Sequence, residues 1–413
     1  MILLSGAEIV LPDRILTPGT LVIDGDRIAE IRQGTAHSGG FAFQGHYIVP
    51  GFVDLHVHGV NGVDALDSAD AVAAIAARLP AYGVTAFCPT SVACSPSLLG
   101  QMLAGVRAAR ATPSARAARV LPAHLESNFI SPEYCGAQPA RCLRNAQKAL
   151  VGWQEKALPR FDSADARSGQ AGGEEETEFD GGDILREIER AIPDVGIVTL
   201  APEIDGGIDL VRWFVDRGCR VSLGHSAATY DEATAAIAAG ATQATHLFNR
   251  MPPLGHRSPG LAGAALQAEE VAVEIICDGV HVHPAVVRAA VAAKRPSRVM
   301  AISDGTSVAG LPPGSRARLG GLEITADERG AYLEDGTLAG SVLTMNRAFR
   351  TIVEEMRLSL VDAAMMCSTT PARELGLIGH GVLAPDAVAD LVVLDADFSV
   401  VQTYIGGQLA YAR

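Results

Sequence analysis

The chain has 413 residues, room for one large domain with a smaller companion or for two to three ordinary domains. Hydrophobic residues make up 48% and charged residues 19%, which excludes a largely disordered chain and leaves ample apolar material for a core. With 33 basic against 47 acidic residues the formal charge is −14. That excludes nucleic acid as a main partner, because phosphate neutralisation needs a basic field, and an anionic small substrate would have to meet local cations.

The opening Met1-Ile2-Leu3-Leu4-Ser5-Gly6-Ala7-Glu8 has no basic stretch and meets an acid at once, so it does not read as a secretory signal. No apolar run approaches the ~18–20 residues of a membrane helix, and no membrane partner is expected. The seven cysteines are odd in number and lack CxxC spacing, which suits reduced thiols in a cytoplasmic enzyme.

Residues 1–47 alternate short apolar strands with Pro, Gly and Asp-Gly turns, and so do residues 380–413. One small β-sandwich domain built from both termini is the expected result. Between them, 48–379 repeats a strand-then-helix pattern. Strands are expected at 48–57, 84–89, 120–125, 196–200, 220–223, 243–247, 271–277 and 299–303. Ala-rich helices are expected at 68–81, 96–110, 183–191, 207–217, 230–239, 259–268, 284–294 and 343–357. Eight strands with interleaved helices predict an α/β fold, a closed (β/α)8 TIM-type barrel. Residues 162–182 are acidic, Gly-rich and without apolar periodicity, and read as a solvated insertion. Residues 306–340 read as a β-rich excursion after the eighth strand.

In such a barrel the chemistry sits at the C-terminal ends of the strands. The first strand ends in His56-Val57-His58, and residues i and i+2 share one face, so both imidazoles can reach one ion. The third ends in His124-Leu125-Glu126, the fifth in Gly224-His225, the sixth in Thr245-His246, the seventh near Asp278 and His281, and the eighth in Ser303-Asp304. A single strand-end His is commonly structural, and His124 is read that way. Imidazoles and carboxylates at so many strand ends together point to a metal site.

The segment Pro50-Gly51-Phe52-Val53-Asp54-Leu55-His56-Val57-His58-Gly59 resembles the opening signature of the amidohydrolase superfamily. His124-Leu125-Glu126, Gly224-His225-Ser226, Thr245-His246-Leu247-Phe248-Asn249, His256-Arg257-Ser258-Pro259-Gly260, Asp278-Gly279-Val280-His281 and Ser303-Asp304-Gly305, in this order, are similar to the N-acetylglucosamine-6-phosphate deacetylase family. The resemblance implies a homodimeric barrel that removes acetate from a phosphorylated N-acetyl amino sugar with one or two divalent ions, zinc first and iron or manganese next. It implies Glu126, His225 and His246 as principal metal ligands, His56 and His58 as a second site, and Asp304 as general acid and base. Asn249, His281 and Arg257 become substrate contacts, Arg257 reaching the partner subunit's site. The chain departs from the family after Glu126: Ser127-Asn128 replaces the common Gly-Pro, and Gln138 stands where a loop His lies against the acyl group. Arg250 replaces a small residue.

The nearest alternative is an amidohydrolase of the same fold acting on another N-acyl amino sugar, an N-acyl amino acid or a cyclic amide. Many cyclic-amide members bridge two metals with a carboxylated lysine, but Lys148, Lys156 and Lys294 all fall in helix-like stretches. A remote alternative is an inactive barrel serving as an assembly protein, for which the ligand set should have eroded.

Overall fold

The computed structural model describes residues 1–35, 40–157 and 178–413. Eight parallel strands form the barrel in chain order: Phe52–Val57, Val84–Ser91, Ala123–Glu126, Val195–Leu200, Arg220–Leu223, Gln243–Ala244, Ala272–Ile276 and Val299–Ile302. Each pairs with the next, and a Val57–Gly305 bridge closes the eighth onto the first. The strands are almost wholly buried, which is why they read as continuous apolar runs rather than alternating ones.

The eight expected helices are present, and several of their starts are capped. Ser95 caps Pro96–Ala111, and Thr229 with Glu232 forms a reciprocal capping box on Tyr230–Ala238. Helix Gly181–Ala191 buries Ile184, Leu185 and Ile188 and leaves Glu189 and Arg190 in solvent. Asp180 and Asp183 cap it, so the last residues of the expected 162–182 insertion open a helix; residues 162–177 lie outside the described residues. The stretch around Lys148 and Lys156 is helix Ala146–Ala157, and Lys294 ends helix Pro284–Lys294.

Three strands differ from expectation. The first, expected over 48–57, is split: Tyr47–Pro50 pairs in the sheet of the termini, and only Phe52–Val57 enters the barrel. The third is broken into Arg119–Val120 and Ala123–Glu126, because Pro122 has no N–H for the ladder. The sixth stops at Ala244 rather than 247: His246 has φ 29°, and the left-handed turn takes it out of the sheet. The excursion after the eighth strand is a three-stranded antiparallel sheet, Arg316–Leu319, Leu322–Ala326 and Ala331–Tyr332.

Both termini share one mixed sheet. Ile2–Val10, Ile15–Asp24, Arg27–Gln33, Phe41–Ala42 and Tyr47–Pro50 join Leu391–Leu394, Val400–Ile405 and Gln408–Ala412 through the antiparallel Tyr47–Pro50/Leu391–Leu394 pair. Leu4, Ile9, Leu21, Ile23, Ile48, Leu391 and Tyr404 form its core. An Arg27–Val388 bridge ties its far edge to the segment before Leu391. The Asp390 carboxylate accepts from Arg119, His380 and the Gly406 N–H, which fastens this sheet to the barrel. Among the described residues, no helix is long and apolar enough to cross a membrane.

Candidate active site

Glu126 ends the third barrel strand and is the hub of the strand-end cluster. Its Oε1 lies 3.0 Å from Nε2 of His225 and 3.0 Å from Nε2 of His246, and these two nitrogens are 3.0 Å apart. His56 and His58, on one face of the first strand, bring their Nε2 atoms within 3.2 Å of each other. They lie 3.6 and 3.5 Å from Glu126. Asp304 Oδ1 is 3.4 Å from His56 Nε2 and 3.3 Å from His58 Nε2. His225 and Asp304 both leave their strands through left-handed backbone, φ 48° and 49°. All six side chains are buried.

The donors are arranged to hold a cation. His225 Nδ1 meets the Tyr134 carbonyl at 2.9 Å, His58 Nδ1 the Thr90 carbonyl at 3.2 Å, and His56 Nδ1 the Glu274 carboxylate at 3.1 Å. Each contact assigns the ring proton to Nδ1 and turns the Nε2 lone pair toward Glu126. Ring nitrogens 3.0 and 3.2 Å apart around a carboxylate call for a positive charge between them, a proton or a metal ion. The set is the imidazole and carboxylate chemistry of a divalent metal site, with His56, His58 and Glu126 in one group and Glu126, His225 and His246 in another.

Glu126 and Asp304 are held ionised by the imidazoles around them, and a proton competes with a cation for the same ring nitrogens. Burial opposes ionisation of Glu126, but His225, His246 and His56 outweigh it and hold the carboxyl well below its ordinary range. Burial likewise opposes ionisation of Asp304, and His56 and His58 overcome it, bringing its pKa down to about 2. Burial disfavours a charged His58, yet the carboxylates of Asp304 and Glu126 raise it to about 9.

Beneath the cluster lies a residue that the sequence did not single out. Glu274, on the seventh strand, is completely buried, and burial pushes it up to about 7. One oxygen holds His56, and the other, 3.7 Å from His124 Nδ1, has no hydrogen-bond partner among the described residues. His124 bonds the Leu55 carbonyl at 2.9 Å and Thr199 Oγ1 at 2.7 Å, and with His56 and Glu274 it forms a third buried group of possible donors.

A cavity of about 350 Å³ opens above the cluster. Glu126, His225, His246, His58 and Asp304 reach its wall, together with Asn249, His281 and Gln138. The His281 ring is fixed by the Asp278 carboxylate, 2.6 Å from Nδ1. The Gln138 amide donates to Glu126 Oε2, and its carbonyl accepts from the Ala93 N–H at 2.7 Å. Arg257 does not reach this cavity; it lines a separate groove with Tyr230, Pro252 and Gln267. No described lysine side chain lines the cavity, and Lys294 bonds the Ala268 carbonyl instead.

Residues 47–410 match the profile of the Amidohydrolase family. The chain is 33% identical to the N-acetylglucosamine-6-phosphate deacetylase of Bacillus subtilis, over 88% of this chain and 84% of that protein. It is also 33% identical to the N-acetylgalactosamine-6-phosphate deacetylase of Escherichia coli O157:H7, over 88% and 87%. The crystal structure of N-acetyl-D-glucosamine-6-phosphate deacetylase from Mycobacterium smegmatis superposes with a TM-score of 0.84 at 32% identity, covering 100% of both chains. The chain therefore belongs to the amidohydrolase family, in the branch of the N-acetylglucosamine-6-phosphate deacetylases.

Proposed function

We propose that this protein hydrolyses the acetamide of N-acetylglucosamine 6-phosphate, releasing glucosamine 6-phosphate and acetate. The observation that carries the reading is the convergence of Glu126, His225, His246, His58 and Asp304 on one cavity, with His56 buried behind them against Glu126 and Asp304. A divalent ion held there, zinc first with iron or manganese also accepted by such a donor set, supplies Lewis acidity to the amide carbonyl and a water of lowered pKa. One or two ions fit, since Glu126 borders both donor groups.

The chain's own residues do the rest. Asp304 is ionised and faces the His56–His58 side of the cluster, so it takes the proton of the attacking water. It then passes that proton to the amine nitrogen, which leaves poorly as an anion. Asn249 and His281 on the cavity wall hold the sugar, and Glu126 keeps the histidines in register. We place the enzyme in the cytoplasm, in keeping with its seven free thiols. We assign it a homodimeric state in which Arg257, remote from its own cavity, serves the neighbouring one.

The test is acetate release by the metal-loaded protein from a panel of N-acetylglucosamine 6-phosphate, N-acetylgalactosamine 6-phosphate, their unphosphorylated sugars and N-acyl amino acids. We expect kcat/KM for the phosphorylated sugars to exceed the others by about 10²-fold or more. Faster turnover of N-acyl amino acids would overturn the assignment. The galactosamine epimer is the second substrate to weigh, because the Escherichia coli relative matches this chain at the same identity.

A further inference from the structure

We propose that Arg250 binds the phosphate of the substrate from within the same chain and makes the cavity selective for anionic amides. The inference rests on the deacetylase reading and adds a residue and a specificity to it.

An anion entering this cavity meets a protein of net charge −14 and a wall that carries two carboxylates, Glu126 and Asp304. The imidazoles beside those carboxylates are engaged with them or with backbone carbonyls. Arg250 is the one side chain of permanent positive charge on the wall, among the described residues. It makes no ion pair with any described carboxylate, whereas Arg107, Arg119, Arg186 and Arg217 each hold one. Its side-chain hydrogen bond is a long one, Nη2 to the Leu338 carbonyl at 3.4 Å, so most of its five donors remain for a ligand.

The surroundings are shaped to seat this guanidinium. Gly136 lies alongside it, and a Cβ there would stand 2.5 Å from Arg250 Nε. Gly136 is itself left-handed, φ 62°, and its lack of a side chain leaves room for the arginine. The backbone of Arg250 is itself left-handed, φ 51°, two residues after Phe248 at φ 77°. A non-glycine residue held in that region is a strained choice, of the kind that collects where a side chain must be aimed. The loop carrying Arg250 begins at the metal-site histidine His246, and Asn249 and Arg250, consecutive in the chain, both line the cavity. A planar fork of N–H donors matches phosphate in two-point contact, which a neutral hydroxymethyl group cannot reciprocate.

The competing role is a strut that pins the Gly136 and Leu338 loops together. Arg250→Ala and Arg250→Lys separate the two. Their kinetics would be measured on N-acetylglucosamine 6-phosphate and on unphosphorylated N-acetylglucosamine, with inorganic phosphate as a competitive probe. We expect Arg250→Ala to raise KM for the phosphorylated substrate and Ki for phosphate by about tenfold or more, with a much smaller change in kcat. The preference for the phosphorylated substrate should fall by the same factor, and Arg250→Lys should restore only part of it. An unchanged KM and phosphate Ki, or an equal loss of kcat on both substrates, would overturn the proposal in favour of the strut. If the wild-type protein releases no acetate from any N-acetyl hexosamine phosphate, it is the deacetylase reading that fails. Calorimetric titration of inorganic phosphate then decides Arg250: binding lost in the variant supports the anion site, and binding retained refutes it. Should Arg250→Ala not fold, Arg250→Gln keeps the stem and removes the charge for the same measurements.

Discussion

Glu126 stands between two pairs of histidines that are built in different ways. His225 and His246 come from separate strands, and each reaches Glu126 through a left-handed backbone turn, φ 48° and 29°. Both Nε2 atoms lie 3.0 Å from the same carboxylate oxygen, and both rings line the cavity. His56 and His58 come from one strand by simple two-residue alternation. They lie farther from Glu126, at 3.6 and 3.5 Å, and closer to Asp304. His58 reaches the cavity wall, while His56 is sealed in with Glu274 and His124 behind it. A strand offers a pair of ligands without bending its backbone. A ligand from each of two strands requires two bent backbones that must be held by the surrounding structure. The second arrangement gives the tighter convergence here, and we expect it to hold the more strongly bound ion.

The sharpest way to break that comparison is to remove one member of each pair. His246→Ala should lose most of the bound metal and reduce hydrolysis by several orders of magnitude, while the circular dichroism spectrum stays that of the folded barrel. His58→Ala should release at most one equivalent of metal and keep a measurable rate. Metal content of the purified variants, set beside turnover, checks both. If His58→Ala loses as much metal and rate as His246→Ala, the two pairs are one cooperative site rather than two.

Asp304 belongs with His56 and His58 by position yet is assigned to the proton rather than to the metal. Asp304→Asn keeps the volume and one acceptor oxygen. It should retain metal and lower kcat by about 10²-fold or more, since an amide cannot shuttle a proton. A variant that sheds metal in parallel with rate would move Asp304 into the ligand set.

Much of this site was legible because period-two and strand-end rules are local. His56-Val57-His58 declares itself within three residues, and Glu126, His225, His246 and Asp304 each follow an apolar run that ends a strand. Glu274 was not legible. A single acid in the apolar run of the seventh strand gives no sign of which face it takes, and its partner His56 is 218 residues away. The sixth strand ends earlier than its apolar pattern suggests: Leu247 and Phe248 continue the pattern, but the backbone turns left-handed at His246, whose ring meets Glu126 on the third strand, a contact no local pattern reports. Asn145 did carry a readable signal for helix Ala146–Ala157, since its side chain accepts from the Lys148 N–H as a helix cap does. The site of Gln138 was foreseen, but not what it holds: a loop glutamine near a metal site reads as a substrate contact until its neighbours are known.

Gln138 gives the smallest effect and tests how the shared carboxylate is kept in place. Its amide nitrogen donates to Glu126 Oε2, the oxygen nearer His58, and its carbonyl is tied to the Ala93 N–H. The side chain therefore pins Glu126 to the loop after the second strand, and both histidine pairs depend on where that carboxylate points. Gln138→Ala frees Oε2 and removes the Ala93 tie. Partners of this kind change metal affinity by about 10–100-fold when lost. We expect Gln138→Ala to weaken metal retention within that range, to lose activity in proportion, and to recover most of it when metal is supplied in excess. Chelator competition followed by rate measurement at saturating metal checks this. If metal is retained and kcat alone falls, by the roughly 10²–10³-fold that follows loss of a donor to a developing oxyanion, then Gln138 acts on the substrate and only incidentally on Glu126.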